Sequence, residues 1–103
     1  MVTAEEWNLR SMTENQLKHS VLDIARSRGW KVYHVPQSRI PSSGDAGFPD
    51  LVLARVGELR FVELKREQAN LSPEQMDWMH HLPGVIVLRP SDLDSGRVLQ
   101  VLA

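Results

Sequence analysis

Gly47-Phe48-Pro49-Asp50-Leu51-Val52-Leu53-Ala54-Arg55-Val56-Gly57-Glu58-Leu59-Arg60-Phe61-Val62-Glu63-Leu64-Lys65 is the stretch on which the reading of this chain turns. Two short apolar runs with β-branched residues flank a turn containing Gly57, the pattern of an antiparallel hairpin. Side chains alternate along a strand, so Glu63 and Lys65 share one face while Val62 and Leu64 occupy the other. Asp50 stands where the first strand begins, just after a proline, a residue tolerated at a strand start but not in its middle. A closed hairpin brings Asp50, Glu63 and Lys65 to one end. Two carboxylates and the Leu64 backbone carbonyl make a hard oxygen site suited to Mg²⁺, which takes its ligands at about 2.1 Å. A lysine beside them is placed to position or deprotonate a water, as metal-assisted hydrolysis of a phosphodiester requires.

A plainer account exists for each residue taken alone. Asp50 could be a turn residue after proline, and Glu63 with Lys65 a solvated strand face. Both strands, however, are otherwise nearly continuous apolar runs, the pattern of a sheet covered on both faces. Charges within such strands are costly to bury unless they are paired or bind metal.

Pro49-Asp50, a spacer of twelve residues and Glu63-Leu64-Lys65 resemble the PD-(D/E)xK nuclease signature. Gly47-Phe48-Pro49-Asp50-Leu51, Phe61-Val62-Glu63-Leu64-Lys65 and Leu71-Ser72-Pro73-Glu74-Gln75-Met76-Asp77-Trp78 narrow it. In this order and spacing they resemble the VRR-NUC branch, in its small stand-alone, phage-encoded form. The resemblance spans residues 13–92, most of the chain. It implies an α/β fold with a restriction-endonuclease-like core, a mixed β-sheet flanked by helices. It also implies a Mg²⁺- or Mn²⁺-dependent DNA endonuclease, with Asp50, Glu63 and the Leu64 carbonyl as metal ligands and Lys65 acting on the nucleophilic water. Branched DNA of the Holliday-junction type is the implied substrate. A homodimer suits it, because a two-fold dimer offers matching sites to two symmetric strands. Two alternatives stand beside this: a flap, nick or single-strand nuclease within a replication or recombination complex, and a non-catalytic DNA-binding module. The presence of Asp50, Glu63 and Lys65 together argues against the last.

At 103 residues the chain has the length of one domain, enough for a modest core. Residues 1–12 read as an N-terminal arm and 13–103 as the nuclease domain. There is no cysteine, so a disulfide framework and a thiolate metal site are both excluded. No apolar run approaches the roughly 20 residues of a membrane span, and the start lacks a basic-then-apolar leader. A cytoplasmic protein without a membrane partner is expected, in the host cell if the chain is phage-encoded. The net charge is −1, so bulk electrostatics give no help in holding DNA.

The order of elements follows from punctuation and periodicity. Residues 1–12 show no clear period beyond a turn of helix over residues 4–9. Thr13-Glu14-Asn15-Gln16 fits a capping box that opens a helix; Leu17, Val21, Ile24 and Ala25 form its apolar stripe, and Gly29 is placed to stop it. Glu14 has two accounts: it favours the helix dipole, or, as the resemblance implies, it approaches the metal. Residues 30–35 alternate as a strand, and residues 37–46, rich in Ser, Gly and Pro, form a loop leading into Asp50. Ser38, Arg39, His34 and Arg66 are candidate DNA contacts.

Ser72-Pro73-Glu74-Gln75 opens a second helix, with Ser72 as N-cap and Pro73 at its first position. Met76, Met79 and Leu82 are its expected inward stripe, with Trp78 placed to share it. Gln75 either completes the capping box or, as the resemblance implies, reaches back to the catalytic centre; one side chain does not readily do both. Val85-Ile86-Val87-Leu88 reads as a buried strand. Ser91-Asp92 starts a further helix, and residues 95–102 suit a helix better than a short strand. Trp7, Leu9, Ile40 and Phe48 are the apolar residues not claimed by a stripe, and so the candidates for a dimer interface.

Overall fold

A computed structural model describes residues 2–36 and 46–103. Its elements are α1 (Ala4–Ser11), α2 (Glu14–Ser27), β1 (Lys31–His34), β2 (Leu51–Arg55), β3 (Glu58–Leu64), α3 (Pro73–His81), β4 (Ile86–Leu88), α4 (Pro90–Asp94) and α5 (Arg97–Val101). The strands form one sheet in the order β1-β2-β3-β4. The first two pairings are antiparallel and β3 runs parallel to β4. This is an α/β fold with a mixed sheet flanked by helices, compatible with a restriction-endonuclease-like core.

Local signals set most boundaries. The Thr13 side chain accepts from the Gln16 N–H and the Gln16 side chain accepts from the Thr13 N–H, a complete capping box for α2. Gly29, at φ 83°, turns the chain out of the helix in the left-handed region where a Cβ is penalised. Gly57, at φ 75°, serves the β2–β3 turn, and Arg55 pairs with Glu58 across it. The N-terminal arm is more ordered than its sequence pattern predicts. Thr3 caps a two-turn helix by accepting from the Glu6 N–H, and none of that helix is buried.

One sheet face is the core. Leu51 and Leu53 of β2, Val62 and Leu64 of β3 and Leu88 of β4 pack against Leu17, Val21 and Ala25 of α2 and against Val98 and Leu102 near the C-terminus. A fully buried Leu or Val contributes about 1.5–3 kcal/mol by leaving water. Trp30 closes one end of this core. Its Nε1–H donates to the Leu102 carbonyl at 2.9 Å, and the Arg55 guanidinium lies 4.2 Å from its ring centroid.

The other sheet face departs from expectation. The apolar runs predict cover on both sides, but α3 covers only the end that bears Glu63. Tyr33 and Leu59 remain 59% and 52% exposed. The inward face of α3 also differs. Met76 is exposed, while Gln75, Trp78, Met79 and Leu82 are half-buried. These four recur at i, i+3, i+4 and i+7, so the stripe is regular but begins on a polar residue. Within residues 95–102 the chain forms α5 (Arg97–Val101), with Gly96 at φ 80° separating it from α4.

Candidate active site

The hairpin register positions the acids. Leu51 pairs with Val62, so Asp50, one residue before β2, stands at the position opposite Glu63. Its Oδ2 accepts the Leu64 N–H at 2.8 Å, and its own carbonyl accepts the Val35 N–H at 2.9 Å. Asp50 is thereby tied to both neighbouring strands. Lys65 follows two residues after Glu63 on the same face, half-buried, its N–H bonded to the Leu88 carbonyl. Asp50, Glu63 and Lys65 therefore meet at one end of the hairpin.

Glu63 is 3% exposed. Its Oε1 accepts from the Gln75 side-chain amide at 3.1 Å. Its Oε2 is buried and has no hydrogen-bond donor among the described residues. Burial pushes the Glu63 carboxyl up to about 9; Asp50 adds to the rise through hydrogen bonding and charge, Lys65 opposes it, and Glu14 adds a further push. Two carboxylates facing one another are both acceptors, so they share this space comfortably only with a proton or a cation between them. An orphaned buried oxygen beside a second carboxylate fits a hard divalent cation, and Mg²⁺ commonly uses one or two protein carboxylates and keeps waters.

Gln75 does what its sequence made seem incompatible. Its Oε1 accepts from the Ser72 N–H at 2.8 Å, completing the α3 capping box, while its Nε2 donates to Glu63. The two ends of one amide serve the two roles. α3 itself is held against the hairpin by the segment before Asp50. Gly47 takes φ 84°, and a Cβ there would lie 2.4 Å from the Glu74 carbonyl carbon and 2.6 Å from the Gln75 nitrogen. Phe48 packs edge-on against Phe61 and Trp78, and the Trp78 Nε1–H donates to the Ala46 carbonyl at 3.1 Å. Phe48 is thus half-buried between β3 and α3.

A cleft of about 210 Å³ opens beside Asp50 and Leu64, walled by Glu14, Asn15 and Lys18 of α2 and by His34 of β1. Glu14 and His34 share this lining with Asp50, and among the described residues no three His, Cys, Asp or Glu side chains converge on a metal-sized space. Arg66 is exposed and donates to the Arg10 carbonyl at the end of α1, away from the cleft lining. Ser38 and Arg39 lie outside the described residues, as does Ile40.

Two residues escaped the sequence reading. Lys18 lines the cleft, and the available signal was its spacing of one turn after Glu14. The Arg89 Nη1 donates to the carbonyls of Arg66, Glu67 and Ala69 at 2.8, 3.3 and 2.7 Å, fixing the connection between Lys65 and α3. No local pattern announces that role.

Paired carboxylates and a lysine thus stand together at the open end of a hairpin in a mixed sheet. Residues 39–85 match the family model of the VRR-NUC domain, consistent with a VRR-NUC nuclease domain. The match spans Asp50, Glu63, Lys65 and Gln75. No curated protein and no solved structure matches the chain. No helix among the described residues is long and apolar enough to cross a membrane.

Proposed function

We propose that this chain is a Mg²⁺- or Mn²⁺-dependent endonuclease that hydrolyses DNA phosphodiester bonds. The observation that carries the reading is the buried, unpartnered Oε2 of Glu63 beside Asp50, within the stretch matched to the VRR-NUC domain. Asp50, Glu63 and the Leu64 carbonyl would hold the cation, which supplies Lewis-acid polarisation of the phosphoryl group when bound. Lys65 orients the attacking water and takes part in its deprotonation. Gln75 fixes the Glu63 carboxylate through its amide N–H. Arg89 keeps the 66–69 connection in place, so that Lys65 and Gln75 keep their spacing.

The proposed substrate is branched DNA, cut by a homodimer whose two centres meet two strands related by symmetry. Trp7, 66% exposed on α1, and the uncovered sheet face with Tyr33 and Leu59 are the apolar surfaces that support a dimer. A panel of labelled four-way junction, flap, nicked duplex, intact duplex and single strand, with and without Mg²⁺, tests this reading. Metal-dependent cuts near the branch point of the junction support it. Cleavage confined to flaps, nicks or single strands moves the assignment to that substrate, and binding without cleavage under either metal makes the chain a non-catalytic DNA-binding module.

A further inference from the structure

The α2 wall of the cleft carries a cation as well as an acid. Lys18 stands one helical turn after Glu14, so both side chains leave α2 on the same face, and both line the cleft with Asp50 and His34. Lys18 is half-buried. Among the described residues it makes no hydrogen bond and no ion pair, not even with Glu14. An ammonium without a partner among the described residues is satisfied by water or by an incoming anion. The surroundings are otherwise acidic, with Glu14 and Asp50 in the lining and Glu63 beside Asp50. A phosphodiester entering this space meets repulsion from each carboxylate that a cation does not offset. Lysine is a compact, mobile point charge well suited to phosphate.

We propose that Lys18 is a DNA-binding residue, which holds a backbone phosphate of the strand entering the cleft from its α2 side. The inference rests on the nuclease reading for its substrate and divides the labour between two lysines. Lys65 serves the chemistry; Lys18 serves binding. Removing Lys18 therefore raises KM and leaves kcat near its wild-type value, the opposite of what removing Lys65 does.

The test uses a fluorescein-labelled four-way junction and a linear duplex built from the same strands, titrated with the full chain in Ca²⁺ over a range of salt. Lys18→Ala should weaken binding to both probes alike and lower the slope of log K against log salt by about one. Lys18→Arg should restore the slope because it keeps the charge. Arg26→Ala, which removes the same charge from α2 outside the cleft, should leave the slope unchanged. Far-UV circular dichroism monitors folding of each variant. A Lys18→Ala slope equal to that of the wild type, or a loss matched by Arg26→Ala, overturns the proposal. Should Lys18→Ala lose the slope while the wild type cuts no DNA in Mg²⁺ or Mn²⁺, Lys18 stands and the nuclease reading falls. A wild type that binds neither probe overturns both.

Discussion

The Gln75 amide joins the start of α3 to the acid pair: its oxygen accepts the Ser72 N–H at 2.8 Å and its nitrogen donates to Glu63 Oε1 at 3.1 Å. The site and the helix are thus built on one side chain, and two substitutions separate its jobs. Gln75→Ala loses both and should cost about 0.3–1.5 kcal/mol from the helix terminus. Gln75→Glu keeps the capping box, since glutamate serves it as well as glutamine. It also sets a third carboxylate against Glu63. The Glu variant should therefore melt close to the wild type yet lose DNA cleavage; thermal unfolding and a junction assay in parallel check this.

Lys65→Ala should lower cleavage by at least about a hundredfold, the lower end of what a positioned acid–base group contributes. DNA binding in Ca²⁺ should be largely retained. Wild-type turnover in this variant would remove Lys65 from the chemistry.

The Glu63 carboxyl, raised to about 9 by burial and by Asp50, makes stability depend on pH. The folded chain holds this proton over a range where the unfolded chain, with an ordinary carboxylate of about 4.5, has released it. Stability of the metal-free protein should therefore fall as pH rises from about 4.5 through about 9. A bound cation favours the ionised carboxylate, so Mg²⁺ should raise the melting temperature more at high pH than at low pH. Each 1 kcal/mol lost corresponds to about 4–8 °C in a domain of this size. Glu63→Gln should flatten the pH dependence and abolish the Mg²⁺ response, as read by thermal melts in the presence and absence of Mg²⁺.

Gly47→Ala is expected to be among the most damaging small substitutions. The residue sits at φ 84°, and the new methyl would fall 2.4 Å from backbone that cannot yield cheaply. The left-handed conformation alone costs a non-glycine residue about 1–2 kcal/mol, and the clash with α3 adds to it. Because the displaced backbone includes the Gln75 nitrogen, activity should fall further than stability predicts. Melting temperature and cleavage rate measured on one preparation separate the two effects.

Features written in neighbouring residues are legible in the sequence. The capping boxes at Thr13 and Ser72, the turn at Gly57 and the meeting of Asp50 with Glu63 each follow from spacing within one hairpin or one helical turn. Features set by distant partners are not. Met76 is expected inward because it is apolar, yet it is exposed, and Gln75, bonded to Glu63, is half-buried beside Met79 and Leu82. The apolar runs of the hairpin predict cover on both faces, yet the extent of cover depends on distant packing, and Tyr33 and Leu59 stay exposed. Arg89 reads as an ordinary surface arginine until its three carbonyl partners, 20 to 23 residues earlier, are in view.

The chain leaves the sheet after Val35, whose N–H is held by the Asp50 carbonyl, and returns at Ala46, whose carbonyl holds Trp78. Asp50 thus lends its backbone to β1 while its side chain serves β3, and α3 lends a side chain to the residues just before Asp50. A substitution that disturbs Val35 or Trp78 is therefore transmitted to the acid pair through main-chain bonds, without touching a carboxylate.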